Sequence, residues 1–461
     1  MRIKHFFKTF LLLFYFAFGG CKEKPLDNSC SPESKSHWEA VILSAASSNL
    51  IPYCGADPNA PRALSYPSPS AFANGVPFSL TPTVIGNGIT FSILPALPNG
   101  LALDSQTGTI SGSYIGYSGV DTVFTVTASN ANGFVLGFLE LILSGPLPLK
   151  TGQTICYDSV GNPISCAGTG QDGLFQNGRN ASFSGPTLVN GTDYTTTDHF
   201  SGLIWKSCSE GQTGAACVGI PNDFDWVAGN AACTNLNGIP YANRTDWRLA
   251  SAKELSTIVH YDGNSPATYP GPFPNTSGSG YWSSSLYAPI VGDSWYVSFT
   301  DGIIGETIQA NANKVHCVSG SQLPAPLFRD NGDSTVTDVN TGLVWTQCPA
   351  GLTGFGCSAG VASSVNWTNA LIGCNSLNLS GRVWRLPSVN ELQSITDISG
   401  TFPVSNINSS FFPNTPAANF WTSTSYTNPA DAWVLQFGIG NVVMNLTKGA
   451  IANVRCVATG P

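Results

Sequence analysis

One set of rare residues occurs twice in the C-terminal part of the chain. Tryptophans and cysteines keep the same order in both series, at offsets of 137 to 141 residues. The first series is Trp205, Cys208, Cys217, Trp226, Cys233, Trp247, Trp282, Trp295 and Cys317, and the second is Trp345, Cys348, Cys357, Trp367, Cys374, Trp384, Trp421, Trp433 and Cys456. Matches of this kind in one order indicate internal repetition. We therefore predict two copies of one domain, at 151–320 and 325–461.

A ten-residue phrase is the most similar stretch of the two copies. It reads DWRLASAKEL at 246–255 and VWRLPSVNEL at 383–392. In each copy a serine is followed three residues later by a glutamate, which is the pattern of a helix capping box. We predict that Ser251 with Glu254, and Ser388 with Glu391, cap the start of a helix that follows a strand. A cap explains these glutamates without a catalytic role.

The rest of each copy predicts one further helix and several short strands. Apolar residues at 367, 371, 374 and 377 have helical spacing, and the segment 226–237 matches this pattern. The segments YWSSSLY, SWYVSFTDG and KVHCVSG in the first copy, like their counterparts in the second, are β-prone. Each copy is therefore expected to be an α+β domain.

The cysteine count indicates an exported protein with disulfides. There are 13 cysteines, and 12 remain to pair if Cys21 carries a lipid. We expect the helix cysteine of each copy to pair with that of the last strand. Four cysteines in each copy permit three connectivities, so the pairing stays a hypothesis. The predicted pairs are Cys30–Cys54, Cys156–Cys166, Cys208–Cys217, Cys233–Cys317, Cys348–Cys357 and Cys374–Cys456.

The first 21 residues have the features of a lipoprotein signal peptide. Arg2, Lys4 and Lys8 precede an apolar stretch too short to span a bilayer, and FGGC follows. Small residues before a cysteine resemble a bacterial lipobox, which implies that Cys21 is lipidated. Residues 22–60 are then a polar tether. Without the signal peptide the chain carries 16 Lys and Arg against 27 Asp and Glu, a net charge of −11.

Residues 61–145 are predicted to form a small all-β domain. The phrase LPALPNGLALDSQTGTISGS at 94–113 resembles the central hairpin of a bacterial family called the putative Ig domain. The resemblance implies an Ig-like β-sandwich that serves as a spacer or adhesion module. The matching residues are Leu97, Pro98, Gly100, Leu101, Thr107, Gly108, Ile110 and Gly112.

Both copies of the repeat resemble the C-terminal domain of the Legionella collagen-like adhesin. The second copy has this family's D-N-G-D hairpin at 330–338, T-G-L-x-W at 341–345, W-R-L-P-x-x-x-E-L at 384–392 and V-R-C-V at 454–457. The first copy departs from the pattern at Ala250, where proline is usual, and at His316, where arginine is usual. The resemblance covers about 280 residues.

This resemblance implies a C-type-lectin-like α+β fold with a disulfide from helix to last strand. It also implies adhesion, because the family's typical member is associated with adhesion and with sulfated glycans. The acidic net charge argues against sulfated glycans, and also against nucleic acid, as partners of this chain. The whole chain is thus predicted as an Ig-like β-sandwich followed by two lectin-like domains with disulfides.

The sequence offers little for catalysis or for metal binding. The histidines lie in unrelated contexts, and neither a His-x-x-x-His nor a Cys-x-x-Cys pair occurs. Asp330, Asp333 and Asp338 form a weak calcium candidate within a segment that also reads as a hairpin turn. We predict no catalytic residue and no cofactor.

The expected function is non-enzymatic binding of an extracellular protein or glycan. The protein would be held at the cell envelope by its N-terminal lipid, with the outer membrane and surface exposure as the expected location. A structural envelope lipoprotein without an external ligand is the alternative, and an enzyme of the formylglycine-generating type is a distant third.

Overall fold

The computed structural model describes residues 59–68, 70–116, 119–262, 265–397, 406–438 and 443–460. The predicted lipidation site Cys21 and the pair Cys30–Cys54 lie outside these ranges. Within them, no helix combines the length and the apolar character needed to cross a bilayer.

The N-terminal domain is a β-sandwich. Its two longest strands are rich in valine, phenylalanine, leucine and threonine, and their inward side chains form a core that includes Phe124, Val126 and Leu139. One sheet has the order β2-β9-β8-β5, another has the order β3-β7-β6, and β1 pairs with β4. The strands are β1 Arg62–Ser65, β2 Ser70–Phe72, β3 Phe78–Leu80, β4 Thr83–Ile85, β5 Thr90–Leu94, β6 Leu101–Leu103, β7 Ile110–Gly112, β8 Val120–Asn130 and β9 Gly133–Leu143.

A connecting segment, residues 146–182, links this sandwich to the first copy. Its elements are β10 Cys156–Tyr157, β11 Pro163–Ile164 and the single-turn helix α1 Asp172–Phe175. The predicted first copy includes residues 151–182, yet several of their hydrogen bonds reach the second copy. Gln153 exchanges two hydrogen bonds with Ser425, and Thr424 donates to Asp172 at 2.8 Å. The segment therefore lies against the second copy before the chain enters the first.

The first copy contains two short helices and two groups of strands. One group forms a five-stranded sheet of order β12-β13-β14-β19-β15. Its strands are β12 Phe183–Asn190, β13 Asp193–Asp198, β14 Ile204–Lys206, β15 Trp247–Leu249 and β19 Cys317–Ser319. The other elements are α2 Trp226–Asn235, a 3-10 turn at Tyr241–Asn243, α3 Ala252–Ser256, β16 Gly280–Leu286, β17 Asp293–Ser298 and β18 Ile304–Ile308.

The second copy repeats this plan. One of its sheets has four strands in the order β20-β21-β22-β30. The elements are β20 Phe328–Asp330, β21 Thr335–Asp338, β22 Leu343–Thr346, β23 Leu352–Thr353, a 3-10 turn at Phe355–Cys357, β24 Ala359–Gly360, β25 Ser364–Val365, α4 Trp367–Asn375, α5 Val389–Ser394, β26 Asn419–Ser425, β27 Asp431–Gln436, β28 Val443–Thr447, β29 Ala452–Asn453 and β30 Val457–Thr459.

The two copies are joined through one continuous sheet. β18 of the first copy pairs antiparallel with β28 of the second at Ile304 and Val443, which gives the order β16-β17-β18-β28-β27-β26-β29-β25. One hydrophobic cluster also contains residues of both copies, and in it the rings of Tyr261 and Trp433 meet edge to face at 5.1 Å. The copies thus share a core.

The sandwich contacts the second copy as well. Arg329 on β20 donates to Glu140 at 2.7 Å and forms a weaker pair with Asp121. The backbone N–H of Gly145 donates to the carbonyl of Val339 at 2.9 Å. The second copy therefore meets the sandwich, the connecting segment and the first copy.

Candidate functional site

The repeated phrase folds as a capped helix in both copies. Ser388 accepts from the backbone N–H of Glu391, and the Glu391 carboxylate accepts from the backbone N–H of Ser388. Ser251 and Glu254 make the same reciprocal pair. Both boxes satisfy N–H groups that the first turn of a helix leaves without partners.

An arginine binds each capping glutamate. Arg385 donates two hydrogen bonds to Glu391, at 2.5 and 2.6 Å, and Arg248 donates two to Glu254, at 2.6 and 2.7 Å. Burial alone would lower the pKa of Arg385, but the Glu391 carboxylate raises it overall. Since each carboxylate already accepts from an arginine and a backbone N–H, these glutamates serve to hold a strand against a helix.

A buried aspartate fixes the end of each capped helix to a hairpin. Asp338 accepts from the hydroxyls of Thr341 and Ser394, the latter in α5, and Asp198 accepts from Ser201 and Thr257 in the first copy. Burial raises the pKa of Asp338 to about 6, and it raises the pKa of Asp198 as well. Because hydroxyl donors surround these carboxyls, their arrangement is also structural.

The calcium candidates do not form a common site. The Asp330 carboxylate accepts from the backbone N–H of Gly332, and that of Asp333 accepts from Thr335, both within the hairpin turn. Asp338 lies apart from them in the core. In the ranges that the structure describes, no three His, Cys, Asp or Glu side chains are grouped so that they could hold a metal ion.

Five disulfides cross-link the described residues. The helix cysteine of each copy is joined to that of the last strand, and a short loop is closed in each copy and in the connecting segment. The pairs are Cys156–Cys166, Cys208–Cys217, Cys233–Cys317, Cys348–Cys357 and Cys374–Cys456.

The repeated tryptophans lie in the interior. Nine of them are less than 2 % exposed, which leaves their faces unavailable for stacking on a sugar. They are Trp205, Trp247, Trp282, Trp295, Trp345, Trp367, Trp384, Trp421 and Trp433.

The two departures from the family pattern have different settings. Ala250 is fully buried beside the capping box. His316 stacks on Tyr281 at 5.0 Å, and burial lowers its pKa to about 3. The corresponding Arg455 donates to the carbonyls of Thr346 and Gln347 and lies over the ring of Phe412. The first copy therefore keeps an uncharged ring where the second buries a cation.

A cleft opens in the second copy beneath the Cys348–Cys357 loop. We call it the copy-two cleft; its volume is about 420 Å³. Its walls come from the short loop, from α4 and from the segment before β30, and none of the described residues that line it is charged. Apolar lining residues predominate, among them Leu352, Val365, Ala370, Leu377, Leu379 and Val454. An apolar concavity of this volume is within the size range of small-ligand sites, about 300–1,000 Å³.

A second and smaller cavity lies at the seam between the copies. It measures about 110 Å³ and is lined by α3 and α5 residues, including Lys253 and Asn390 at corresponding positions. The Lys253 ammonium donates to the carbonyl of Pro324 at 3.1 Å. This cavity is smaller than a typical ligand site.

A family model for the Lcl C-terminal domain matches residues 194–319 and 334–458, which is more than half of the chain. The chain belongs to this family. A second model, for the Putative Ig domain, matches residues 60–137. In both Lcl C-terminal domains, the arginine of the W-R-L motif donates hydrogen bonds to the glutamate of the S-x-x-E motif.

Solved structures share only small parts with this chain. A putative alpha-galactosidase from Bacteroides fragilis is 26% identical over 24% of this chain and 25% of that chain, with a TM-score of 0.17. A SusE-like surface located polysaccharide binding protein from Bacteroides thetaiotaomicron is 18% identical over 21% and 18%, with a TM-score of 0.15. The titin M3 domain is 14% identical over 18% and 96%, with a TM-score of 0.15.

This chain therefore spans about a quarter or less of the two bacterial proteins. The scores are too low to support an argument about its Lcl domains. A search of curated proteins found no match.

Sequence reasoning missed two features of the site. The arginine partner of the capping glutamate was not anticipated, although an arginine precedes the glutamate by six residues in both copies. The copy-two cleft was also missed. The differences between the two copies at the positions that line the cleft are a signal for it in the sequence.

Proposed function

We propose that this protein is a cell-envelope lipoprotein that binds an extracellular ligand, protein or glycan, without catalysing a reaction. The proposal includes a lipid on Cys21, a location at the outer membrane with surface exposure, and a C-type-lectin-like kinship for the Lcl C-terminal domains.

One observation carries the binding proposal. The signature residues that both copies share form hydrogen bonds with one another: Arg385 with Glu391, Glu391 with Ser388, and their counterparts in the first copy. Such residues build the domain. A ligand is then expected to contact positions at which the copies differ, and the copy-two cleft is a concavity lined by such positions.

The proposal also states that the protein does not bind polyanions. The acidic net charge of −8 for the whole chain disfavours sulfated glycans and nucleic acids. We expect binding to a glycan or protein ligand that is neutral or basic.

An array of glycans and matrix proteins tests the proposal. The full-length protein is applied at low and at physiological salt, and we expect at least one ligand that stays bound at physiological salt. Silence across the array would contradict the binding function. A polyanion signal that disappears with added salt would contradict the charge argument.

Protease treatment of intact cells tests the location. We expect the protein to be digested from outside, and labelling with a fatty-acid analogue to depend on Cys21. Protection of the protein in intact cells, with digestion only after the outer membrane is opened, would place it on the periplasmic face.

A further inference from the structure

The copy-two cleft exists because side chains that fill the same place in the first copy are smaller in the second. Hydrogen bonds establish which positions correspond. The indole of Trp247 donates to the carbonyl of Tyr241, and that of Trp384 donates to Leu379. Tyr241 and Leu379 are therefore equivalent.

The same reasoning matches two further positions. The indole of Trp282 donates to the carbonyl of Phe224, and that of Trp421 donates to Val365. The N–H of Glu210 donates to Val315 and that of Ala350 to Val454, both backbone carbonyls before the last strand. Lys206 and Thr346 each follow the equivalent tryptophan of the hairpin. These correspondences are Phe224 with Val365, Glu210 with Ala350, and Lys206 with Thr346.

In the first copy the Lys206 side chain contacts those of Glu210 and Tyr241. The ammonium of Lys206 lies 3.1 Å from the Glu210 carboxylate and 5.8 Å from the centre of the Tyr241 ring. The Glu210 carboxylate reaches the sulfur of Cys317 at 3.3 Å. The space beneath the short disulfide loop is thus closed by an ion pair and an aromatic ring.

In the second copy all four positions carry smaller, uncharged side chains. Thr346, Ala350, Leu379 and Val365 line the cleft in place of Lys206, Glu210, Tyr241 and Phe224. The nearby Arg455 side chain contacts Thr415 and Phe412 and is not part of the lining. The vacated space is therefore apolar and carries no charge.

We propose that the copy-two cleft binds a small uncharged molecule with an apolar ring or chain. This inference rests on the proposed ligand-binding function and specifies the chemistry of its site. A volume of about 420 Å³ accommodates a molecule of two or three fused or linked rings. An ionised group would lose hydration there without finding an opposite charge in the lining, so charged analogues are excluded.

Two matched fluorescent probes test this chemistry. N-phenyl-1-naphthylamine is neutral, and 8-anilinonaphthalene-1-sulfonate carries the same rings with an added sulfonate. Titrated into the full-length protein, the neutral probe is expected to bind at one site per chain. The anionic probe is expected to bind about tenfold or more weakly. No binding of the neutral probe, or equal binding of both probes, would overturn the proposal.

Two blocking variants locate the bound probe. Gly373→Leu places a side chain in the cleft, since a Cβ added at Gly373 meets nothing within 4 Å, and Leu suits a helix better than Gly. Ala350→Leu fills the opposite wall without adding charge. Each variant is expected to bind the neutral probe about tenfold or more weakly. Ala231→Leu, at an exposed position on the equivalent helix α2, is the control that leaves binding unchanged.

The outcomes separate this inference from the proposed function. Probe binding that is unchanged in both blocking variants overturns the cleft assignment, while an array ligand that still binds leaves the proposed function standing. If the probe does not bind but Gly373→Leu abolishes capture of a protein on the array, the cleft takes a side chain of that protein, and the small-molecule proposal is wrong. If no ligand binds on the array while the probe binds the protein, the proposed adhesion function is wrong but the small-molecule site in the cleft stands.

Discussion

The two Lcl C-terminal domains of this chain share a framework and differ in the space beneath one disulfide loop. Both have the capping box, the bidentate arginine and the helix-to-strand disulfide. The first closes the space with Lys206, Glu210 and Tyr241. The second leaves it open between Thr346, Ala350 and Leu379. The signature residues therefore determine the framework, and the loop region can change without altering it.

A second difference lies just before the last strand. Where the first copy stacks His316 on Tyr281, the second buries Arg455 against Phe412. Phe420 takes the place of Tyr281 in the second copy, and Pro349 takes that of Ser209, whose hydroxyl bonds Tyr281. These three positions thus differ together between the copies, because a buried hydroxyl needs a hydrogen-bond partner and the neighbouring ring must fit beside it.

The largest effect is expected from the buried arginine of the second copy. Arg385→Ala leaves the buried Glu391 carboxylate without its partner and should destabilise the protein by about 3–5 kcal/mol. Arg248→Ala should cost roughly half as much, because the Arg248 side chain is 27% exposed and water can replace it. Urea unfolding of both variants measures the difference.

Arg244→Ala provides the control for these variants: its pair with Asp246 is exposed, it donates one further hydrogen bond to Ser319, and its loss should cost only about 1 kcal/mol. Equal losses for Arg385→Ala and Arg248→Ala would show that burial does not distinguish the two copies.

A smaller effect is expected when Arg455, just before the last strand, is exchanged. Arg455→His removes donors from the carbonyls of Thr346 and Gln347 and should lower stability by about 1–3 kcal/mol. Adding Phe420→Tyr and Pro349→Ser recreates the surroundings of His316 and should restore part of this loss. Thermal unfolding reports the result. If the triple variant is no more stable than the single one, these residues do not act as a group.

The buried aspartates predict a dependence of stability on pH. Because the folded pKa of Asp338 is about 6, above its usual 3.8, the folded state holds this proton more tightly than the unfolded chain. Its contribution is therefore greatest below about pH 4 and is lost as the pH rises from about 4 to 6. Lys253 across the seam opposes this shift, as do the hydroxyls of Thr341 and Ser394.

Asp338→Asn should remove this dependence. Its urea midpoint relative to the unsubstituted protein is expected to rise between pH 4 and pH 7, by an amount equivalent to about 1–3 kcal/mol. Asp198→Asn should act in the same direction in the first copy. A constant difference across this pH range would contradict the raised pKa.

The smallest effect is expected where the sandwich meets the second copy. Arg329 is 27% exposed in its pairs with Glu140 and Asp121, so Arg329→Ala should cost no more than about 1 kcal/mol. The difference should shrink at high salt, because exposed charges are screened. Urea midpoints at two salt concentrations check this. A loss that salt leaves unchanged would mean that packing, and not charge, holds the sandwich there.

Local patterns were enough to predict parts of the framework. The capping boxes follow from a serine and a glutamate three residues apart, and α4 at Trp367–Asn375 follows from apolar spacing at 367, 371 and 374. Both depend on neighbours within one turn of helix. The family resemblance, confirmed by the match at 194–319 and 334–458, added the arrangement within each copy.

The assembly of the domains could not be predicted in this way. A duplication predicts contacts inside each copy and carries no information on contacts between copies. The pairing of β18 with β28 joins strands of different copies, and the connecting segment binds residues some 250 to 270 positions further along the chain. The cleft depends on the size of side chains from separate segments, so it becomes visible only when corresponding positions are known.

The route of the connecting segment has a consequence for the order in which the chain matures. Gln153 and Asp172 leave the ribosome before the first copy, yet their partners Ser425 and Thr424 are made after it. The first copy can close its own five-stranded sheet early, whereas the connecting segment must wait with polar groups exposed to water. In a chain that stops before β26, residues 146–182 should therefore remain open to proteases.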